Sequence, residues 1–309
     1  MVREFAKTEV EPLAAEIDQE HRFPVETVEK MAKYGLLGIP FPTKYGGMGG
    51  DEVSYSITVS ELAKVCASTS VIVSAHTSLC CWPIYKYGTE DQKMKYLPEL
   101  LAGKKLGAFG LTEPNAGTDA SGQQTRAELD GDEWVLNGAK CFITNGGYAE
   151  VFVVMAMTDK SKGNHGISAF IVEKNDPGFS IGKTEDKMGI CASSTTELIF
   201  QNCRIPKDRL LGGLGKGFKV AMQTLDGGRI GIASQALGIA EGALEVTIEY
   251  MKQRKQFGKK LAQMQALQFV VADLATKVEA AKLLVLKSAF CEDAGLPYGV
   301  PAAMAKLFA

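Results

Sequence analysis

The chain has 309 residues, 34 of them Lys or Arg and 36 Asp or Glu, for a net charge of −2; 46% are hydrophobic and 23% charged. At ~150 residues per domain this is a globular protein of about two to three domains, and the composition excludes disordered, collagenous and fibrous chains. The charge offers no basic field for a nucleic-acid backbone, and no apolar run approaches the ~20 residues needed to span a bilayer.

The helical part comes first. Phe5, Val10, Leu13, Ala14 and Ile17 recur at helical spacing, and Pro24 opens a helix whose stripe is Val25, Val28, Met31 and Ala32. A glycine-rich loop, Tyr45–Gly50, interrupts the pattern. Helices then resume over Ser54–Val65, Ser70–Tyr87 and Asp91–Ala102.

Near Lys105 the texture changes to short β-rich runs. Arg126–Leu136 reads as a hairpin with Asp130-Gly131 at its turn. Val151–Thr158, Ile167–Glu173, Phe179–Lys183 and Thr196–Phe200 read as further strands of an antiparallel barrel or sandwich. After Gly217 helix returns: Gly231–Tyr250 is one long helix, and Leu267 to Val285 carries a broad apolar stripe. The expected domains are therefore 1–104 (helical), 105–214 (β) and 215–309 (helical bundle).

The seven cysteines, Cys66, Cys80, Cys81, Cys141, Cys191, Cys203 and Cys291, contain no CxxC and are spread too thinly for a disulfide scaffold. Reduced thiols in a cytoplasmic-type compartment are expected, and Met1-Val-Arg-Glu shows no secretory signal. The three histidines, His21, His76 and His165, lie at no metal-ligand spacing, and HExxH and GxSxG are absent, so no metal site is expected. Gly212–Gly217 fails the phosphate-loop pattern because Phe218 follows Gly217 where Lys is needed and Lys216 is misplaced.

Four segments carry possible chemistry. Phe109–Gly122 combines small residues, hydroxyls and two acids where helix gives way to strand; its backbone N–H groups and Thr112 and Thr118 suit a planar or anionic ligand. Phe142 and Thr144 fall on one face of a strand, placing an aromatic platform beside a hydroxyl. Leu225–Ile230 sets Asp226, a potential cap at a helix head, beside Arg229, a potential phosphate partner. Lys252–Gly258 reads as a basic helix end. Each also has an ordinary structural reading: a linking turn, a half-buried strand, a cap and a dipole complement.

Together these segments resemble the acyl-CoA dehydrogenase family, and most closely its short-chain, butyryl-CoA branch. Gly110-Leu-Thr-Glu-Pro-Asn-Ala-Gly-Thr-Asp-Ala-Ser-Gly122 fits the family signature throughout, and the likeness continues through Leu136–Asn145, Gly163–Phe170, Glu185–Ile190, Leu225–Gly238 and Arg254–Gly258. The resemblance implies a helical N-terminal domain, a central β domain and a C-terminal four-helix bundle with FAD between the last two. It implies that Phe109, Gly110, Leu111, Thr112, Glu113, Pro114, Asn115, Ala116, Gly117 and Thr118 line the flavin, Thr118 also touching the thioester. Phe142, where many members carry Trp, would pack on the ring with Ile143 and Thr144 beside it, and Thr144 would bond near N5. Asp226, Gly227, Gly228 and Arg229 would meet the CoA chain. Arg254, Phe257 and Gln265 would reach the FAD of a neighbouring subunit in a tetramer built from dimers.

The implied reaction is α,β-dehydrogenation of a short acyl-CoA to a trans-2-enoyl-CoA, electrons passing to an electron-transferring flavoprotein. The resemblance favours a four-carbon acyl chain. Its address would be cytoplasmic, or the mitochondrial matrix in a eukaryote. The family's usual base, a Glu in an Ile-Tyr-Glu-Gly-Thr stretch, is not in this sequence, and the alternative position before Arg229 is Gly228. No catalytic residue is therefore assigned, and a fragment or incomplete gene product is expected. The competing expectations are another dehydrogenase or oxidase subtype and a non-catalytic flavin- or acyl-CoA-binding protein.

Overall fold

The computed structural model describes residues 1–309. Helices α1 (Val2–Phe5), α2 (Glu11–Gln19), α3 (Val25–Lys33), α4 (Glu52–Ala63), α5 (Ala67–Ser74), α6 (Trp82–Tyr87) and α7 (Glu90–Leu101) precede the sheet. The predicted helix over 70–87 is realised with a local departure, because Ala75–Cys81 winds as a π-helix between α5 and α6. Helix α7 begins at a capping box, with Thr89 and Gln92 each satisfying the other's backbone N–H.

Strands β1 (Gly107–Gly110), β2 (Arg126–Asp130), β3 (Glu133–Thr144), β4 (Val151–Met157), β5 (Ile167–Glu173), β6 (Phe179–Thr184), β7 (Thr195–Pro206) and β8 (Leu210–Leu211) form one sheet. Its order is β6-β7-β3-β2-β4-β5-β8, with β1 also paired to β4. The expected all-antiparallel arrangement needs correction at two places, since β1 and β2 both run parallel to β4. The parallel pairing follows from topology: β1 enters straight from the helical domain, and Glu150 and Leu106 tie its start to the start of β4. Trp134, Phe152, Phe170, Leu198 and Phe200 fill one sheet face, while Val151, Val153, Met155 and Ile171 pack against the helices on the other.

Helix α8 runs from Gly217 to Gln253, starting well before the predicted Gly231. Asp226 is therefore inside the helix and does not cap it. The glycines within α8 are there for packing. A Cβ on Gly231 would lie 2.5 Å from the Tyr55 hydroxyl, and one on Gly238 would lie 2.2 Å from the Ser60 carbonyl oxygen. Small residues let α8 close directly onto α4. After α8 a tight hairpin joins β9 (Lys255–Gln256) to β10 (Lys259–Lys260) where a basic helix end was expected. Then follow α9 (Gln265–Asp293) and α10 (Gly299–Phe308), which complete the bundle with α8. No helix is long and apolar enough to cross a membrane.

Candidate active site

The site is built on β1 and the loop that leaves it. His76, in the π-helical turn, is buried and fixes the entry: its Nδ1 accepts from the Gly107 N–H at 3.0 Å, and its Nε2 donates to the Leu100 carbonyl at 3.1 Å. Burial lowers its pKa to about 4, so the ring is neutral and one tautomer serves both bonds. Gly107 is obligatory here, because a Cβ would stand 2.4 Å from Cys80 Sγ.

Beyond Gly110 the loop folds on itself, with reciprocal backbone bonds between Glu113 and Ala116. Its side chains divide. Leu111, Glu113 and Ala116 are buried, whereas Pro114, Asn115, Gly117 and Thr118 are exposed and Thr112 is half-buried. Glu113 was expected to line a ligand, but its carboxylate is spent internally. It accepts from Gln124 N–H at 2.6 Å, Thr125 N–H at 3.0 Å and Lys140 Nζ at 2.7 Å. Lys140, with no exposed surface, also donates to Leu111 O and Gln123 Oε1, each at 3.1 Å. Burial lowers the Lys140 pKa to about 8. Burial alone would raise Glu113, yet the Lys140 charge and the N–H donors outweigh it and hold the carboxyl below its usual range.

Strand β3 supplies the second wall. Its pairing with β7 slips between Lys140 and Ile143, so the backbone bulges and Phe142 adopts φ 59°. The Cys141 N–H donates to the Thr112 carbonyl at 2.9 Å, which ties the bulge to the loop. Phe142 thereby points outward, 64% exposed, with Thr144 half-buried two residues on. Ile143 faces the opposite way into the sheet core, so of these three only its backbone can serve the site.

Segment Asp226–Arg229 approaches from α8. Phe109, Leu111, Leu79 and Leu225 share one apolar cluster, and a Cβ on Gly228 would lie 2.8 Å from Leu79 Cδ2. The loop and the helix thus converge across Leu79. The Arg229 guanidinium pairs with the Asp226 carboxylate, both half-buried. Arg254, Phe257 and Gln265 are not part of this convergence. They are exposed around the β9–β10 hairpin, and at ~1.5 Å per residue α8 sets Arg254 ~40 Å from Asp226.

The chemistry of the donor set suits a flavin. The hydroxyls of Thr112, Thr118 and Thr144 are bonded to no protein group, Gly117 has nothing within 4 Å of its Cβ position, and Phe142 offers an uncovered ring. No three-residue cluster that could hold a metal ion occurs.

Profiles for the acyl-CoA dehydrogenase N-terminal, middle and C-terminal domains match residues 1–104, 108–203 and 215–309. The chain belongs to the acyl-CoA dehydrogenase family. It is 60% identical to a short-chain specific acyl-CoA dehydrogenase of Clostridium acetobutylicum, over the whole chain and 82% of that protein. It is 53% identical to an acryloyl-CoA reductase (NADH) of Anaerotignum propionicum, over 99% of the chain and 78% of the relative. Among solved structures, butyryl-CoA dehydrogenase from Megasphaera elsdenii superposes with a TM-score of 0.98 at 52% identity, covering 99% of this chain and 81% of that one. A structure described as an electron-transferring flavoprotein of Acidaminococcus fermentans also gives 0.98, at 56% identity over 99% of this chain and 81% of that one. Acyl-CoA dehydrogenases are flavoproteins, and three-part helical, β and helical architecture is the family's own.

Proposed function

We propose that this acyl-CoA dehydrogenase binds FAD and a butyryl-CoA-like thioester in the crevice between the Phe109–Thr118 loop, the Phe142–Thr144 bulge and α8. The product is a trans-2-enoyl-CoA, and electrons go to an electron-transferring flavoprotein. The observation that carries this reading is the rigid loop whose acid is used internally while its hydroxyls stay free, facing the α8 segment that holds Asp226 and Arg229.

In this reading Phe142 stacks on the flavin ring, and Thr112, Thr118 and Thr144 donate to its polar edge. FAD, when bound, supplies the two-electron acceptor for the β-hydrogen. Arg229, oriented by Asp226, meets the CoA chain. Leu79, Leu111 and Phe109 keep water from the acyl group, which strengthens every hydrogen bond to the thioester carbonyl. No side chain is assigned as the base; Gly228 offers none. Arg254, Phe257 and Gln265, remote from Asp226 within one chain, serve the flavin of a neighbouring subunit in a dimer-built tetramer. A cytoplasmic location accords with the bacterial relatives.

The identity to an acryloyl-CoA reductase favours a second reading, in which the same crevice runs the reaction in the reducing direction. Anaerobic visible spectroscopy separates the outcomes. An oxidised flavin band that butyryl-CoA perturbs supports the site. Bleaching by butyryl-CoA adds dehydrogenation and reveals a base elsewhere. Reoxidation of a chemically reduced flavin by acryloyl-CoA, without bleaching by butyryl-CoA, favours the reductase. Absence of any band with added FAD overturns the proposal.

A further inference from the structure

The stretch Glu185–Ile190 opens the loop between β6 and β7, and the functional reading above leaves it without a task. That loop wraps around Lys187. The Lys187 carbonyl accepts from the Cys191 thiol at 3.1 Å, while its ammonium donates to the Ser193 carbonyl and to Thr195 Oγ1, the latter at 2.8 Å. Ile190, at the crest, has φ 55°, a strained setting for a β-branched residue that persists only where its surroundings enforce it. The ammonium is therefore held in one place.

That place adjoins the bulge of β3. Thr195 is the register partner of Thr144, so the two side chains share one face, ~5 Å apart at Cβ. The loop also seats on the turn that follows Thr144. The Asn145 N–H donates to the Ser194 carbonyl at 2.7 Å, and the Gly147 N–H donates to Ser194 Oγ at 3.1 Å. A Cβ on Gly146 would lie 2.2 Å from Thr196 Oγ1, so this close approach needs glycine.

Lys187 is half-buried and pairs with no carboxylate. The acids nearest in the fold are engaged elsewhere: Glu185 with Lys183 Nζ at 3.5 Å, Asp186 at 3.7 Å from His21, and Glu197 with the Lys183 N–H at 3.3 Å. Desolvating a cation without an opposite charge is costly and pulls its pKa below the usual lysine range; negative charge brought to its side relieves that cost. Because Thr195 Oγ1 already accepts from the ammonium, its own O–H is left to donate outward, on the face it shares with Thr144. A fixed cation favours the more negative of two nearby charge states, and reduction adds negative charge to an isoalloxazine.

We infer that Lys187 is a positioning residue for the flavin: acting through Thr195, it sets a positive charge beside the edge that Thr144 meets and raises the reduction potential of the bound cofactor. The inference rests on the flavin reading above.

The test is a dye-referenced redox titration of the full chain, saturated with FAD and freed of excess, as wild type, Lys187→Arg, Lys187→Gln and Lys187→Met. Read at the wild-type midpoint, the ratio of oxidised to reduced flavin should rise at least tenfold in both neutral variants. For a two-electron couple that is a fall of about 30 mV. Lys187→Arg keeps the charge and should stay within about threefold of wild type. Loss of FAD from the neutral variants, with the thermal midpoint of the FAD-free chain unchanged, also supports the inference, since the cation then serves the bound flavin alone. Two results overturn it. One is a ratio within twofold of wild type in neutral variants that retain FAD, which makes Lys187 a tie within its loop. The other is loss of FAD together with a lowered thermal midpoint of the FAD-free chain, which gives the same structural answer. A wild type that takes up no FAD overturns the functional reading itself, and the missing flavin band tells that failure apart.

Discussion

The loop after β1 and the cavity between α4, α6 and the α9–α10 junction both take carboxylates out of water, yet Glu113 receives Lys140 and two backbone N–H groups where Glu292 is served by neutral donors, the Trp82 indole and the Tyr298 hydroxyl. The first arrangement is internal to the β domain and holds a loop in one shape. The second lies where residues some 240 positions apart in sequence meet, Asp293 reaching across to Glu52. Satisfied burial makes a scaffold. Burial without an opposite charge leaves a carboxyl that titrates near neutrality.

The sharpest way to break this comparison is to remove Lys140. Lys140→Met leaves Glu113 buried and charged, and the loss of one partner of a buried pair costs about 3–5 kcal/mol. Urea denaturation should show a loss of that order, with FAD retention falling in parallel as the Thr112–Thr118 loop loosens. The double variant Glu113→Gln, Lys140→Met should recover much of the stability, because no unpaired charge remains. A loss below about 1 kcal/mol in Lys140→Met would show that water reaches Glu113 and that the pair is no scaffold.

A second prediction uses pH, where the two regions have opposite signs. Glu292 holds its proton in the fold up to about 7, above the 4.5 of an ordinary Glu. Its contribution is fully present below the unfolded value and is lost as pH rises through the folded one, so stability falls between about pH 4.5 and 7. The groups facing it are Glu52, Asp293, Lys86, Trp82 and Tyr298. The shift implies a fall on the order of 2 kcal/mol after allowance for partial exposure. Glu113 is held low, so its contribution is present above the unfolded value and lost only as pH falls through the folded one. Denaturation at several pH values should therefore show a declining limb that Glu292→Gln flattens and Glu113→Gln leaves in place. If the limb persists in Glu292→Gln, Glu52 or another group carries it.

The same contrast explains what could be read from the sequence. The order of helical, β and helical parts was legible because period and composition change near Lys105 and Gly217. The loop of residues 109–122 stood out as a candidate because its small and hydroxyl residues are grouped together. The internal use of the Glu113 carboxylate was not legible, because its partner Lys140 lies on β3, and spacing alone does not reveal a pair 27 residues apart. The bulge that turns Phe142 outward depends on a register slip against β7, which β3 does not encode by itself. Gly227-Gly228 suggested a helix head because glycine weakens isolated helices, whereas α8 carries them as contact surfaces for its neighbours. The cavity left no local sign at all. Asp51-Glu52 reads as an ordinary cap followed by an acidic first turn, and Glu292-Asp293 as a solvated helix end.

Asp293 offers the smallest effect and the finest test. Helix α4 starts with N–H groups that its own residues cannot fully satisfy. Asp51 takes that of Ser54 at 2.7 Å, and Asp293 takes those of Glu52 and Val53 from the end of α9. Asp293→Ala removes a cap and a negative charge from a helix N-terminus, a loss of about 1 kcal/mol at pH 5. The same change removes a charge that repels Glu292. At pH 8, with Glu292 ionised, that relief offsets part of the lost cap, so the destabilisation should shrink as pH rises. Asp293→Asn, which keeps an acceptor without the charge, should fall between wild type and Asp293→Ala at pH 5 and match or exceed wild type at pH 8. A pH-independent loss in both variants would mean that Asp293 acts on α4 alone, and that Glu292 and Glu52 do not share one electrostatic environment.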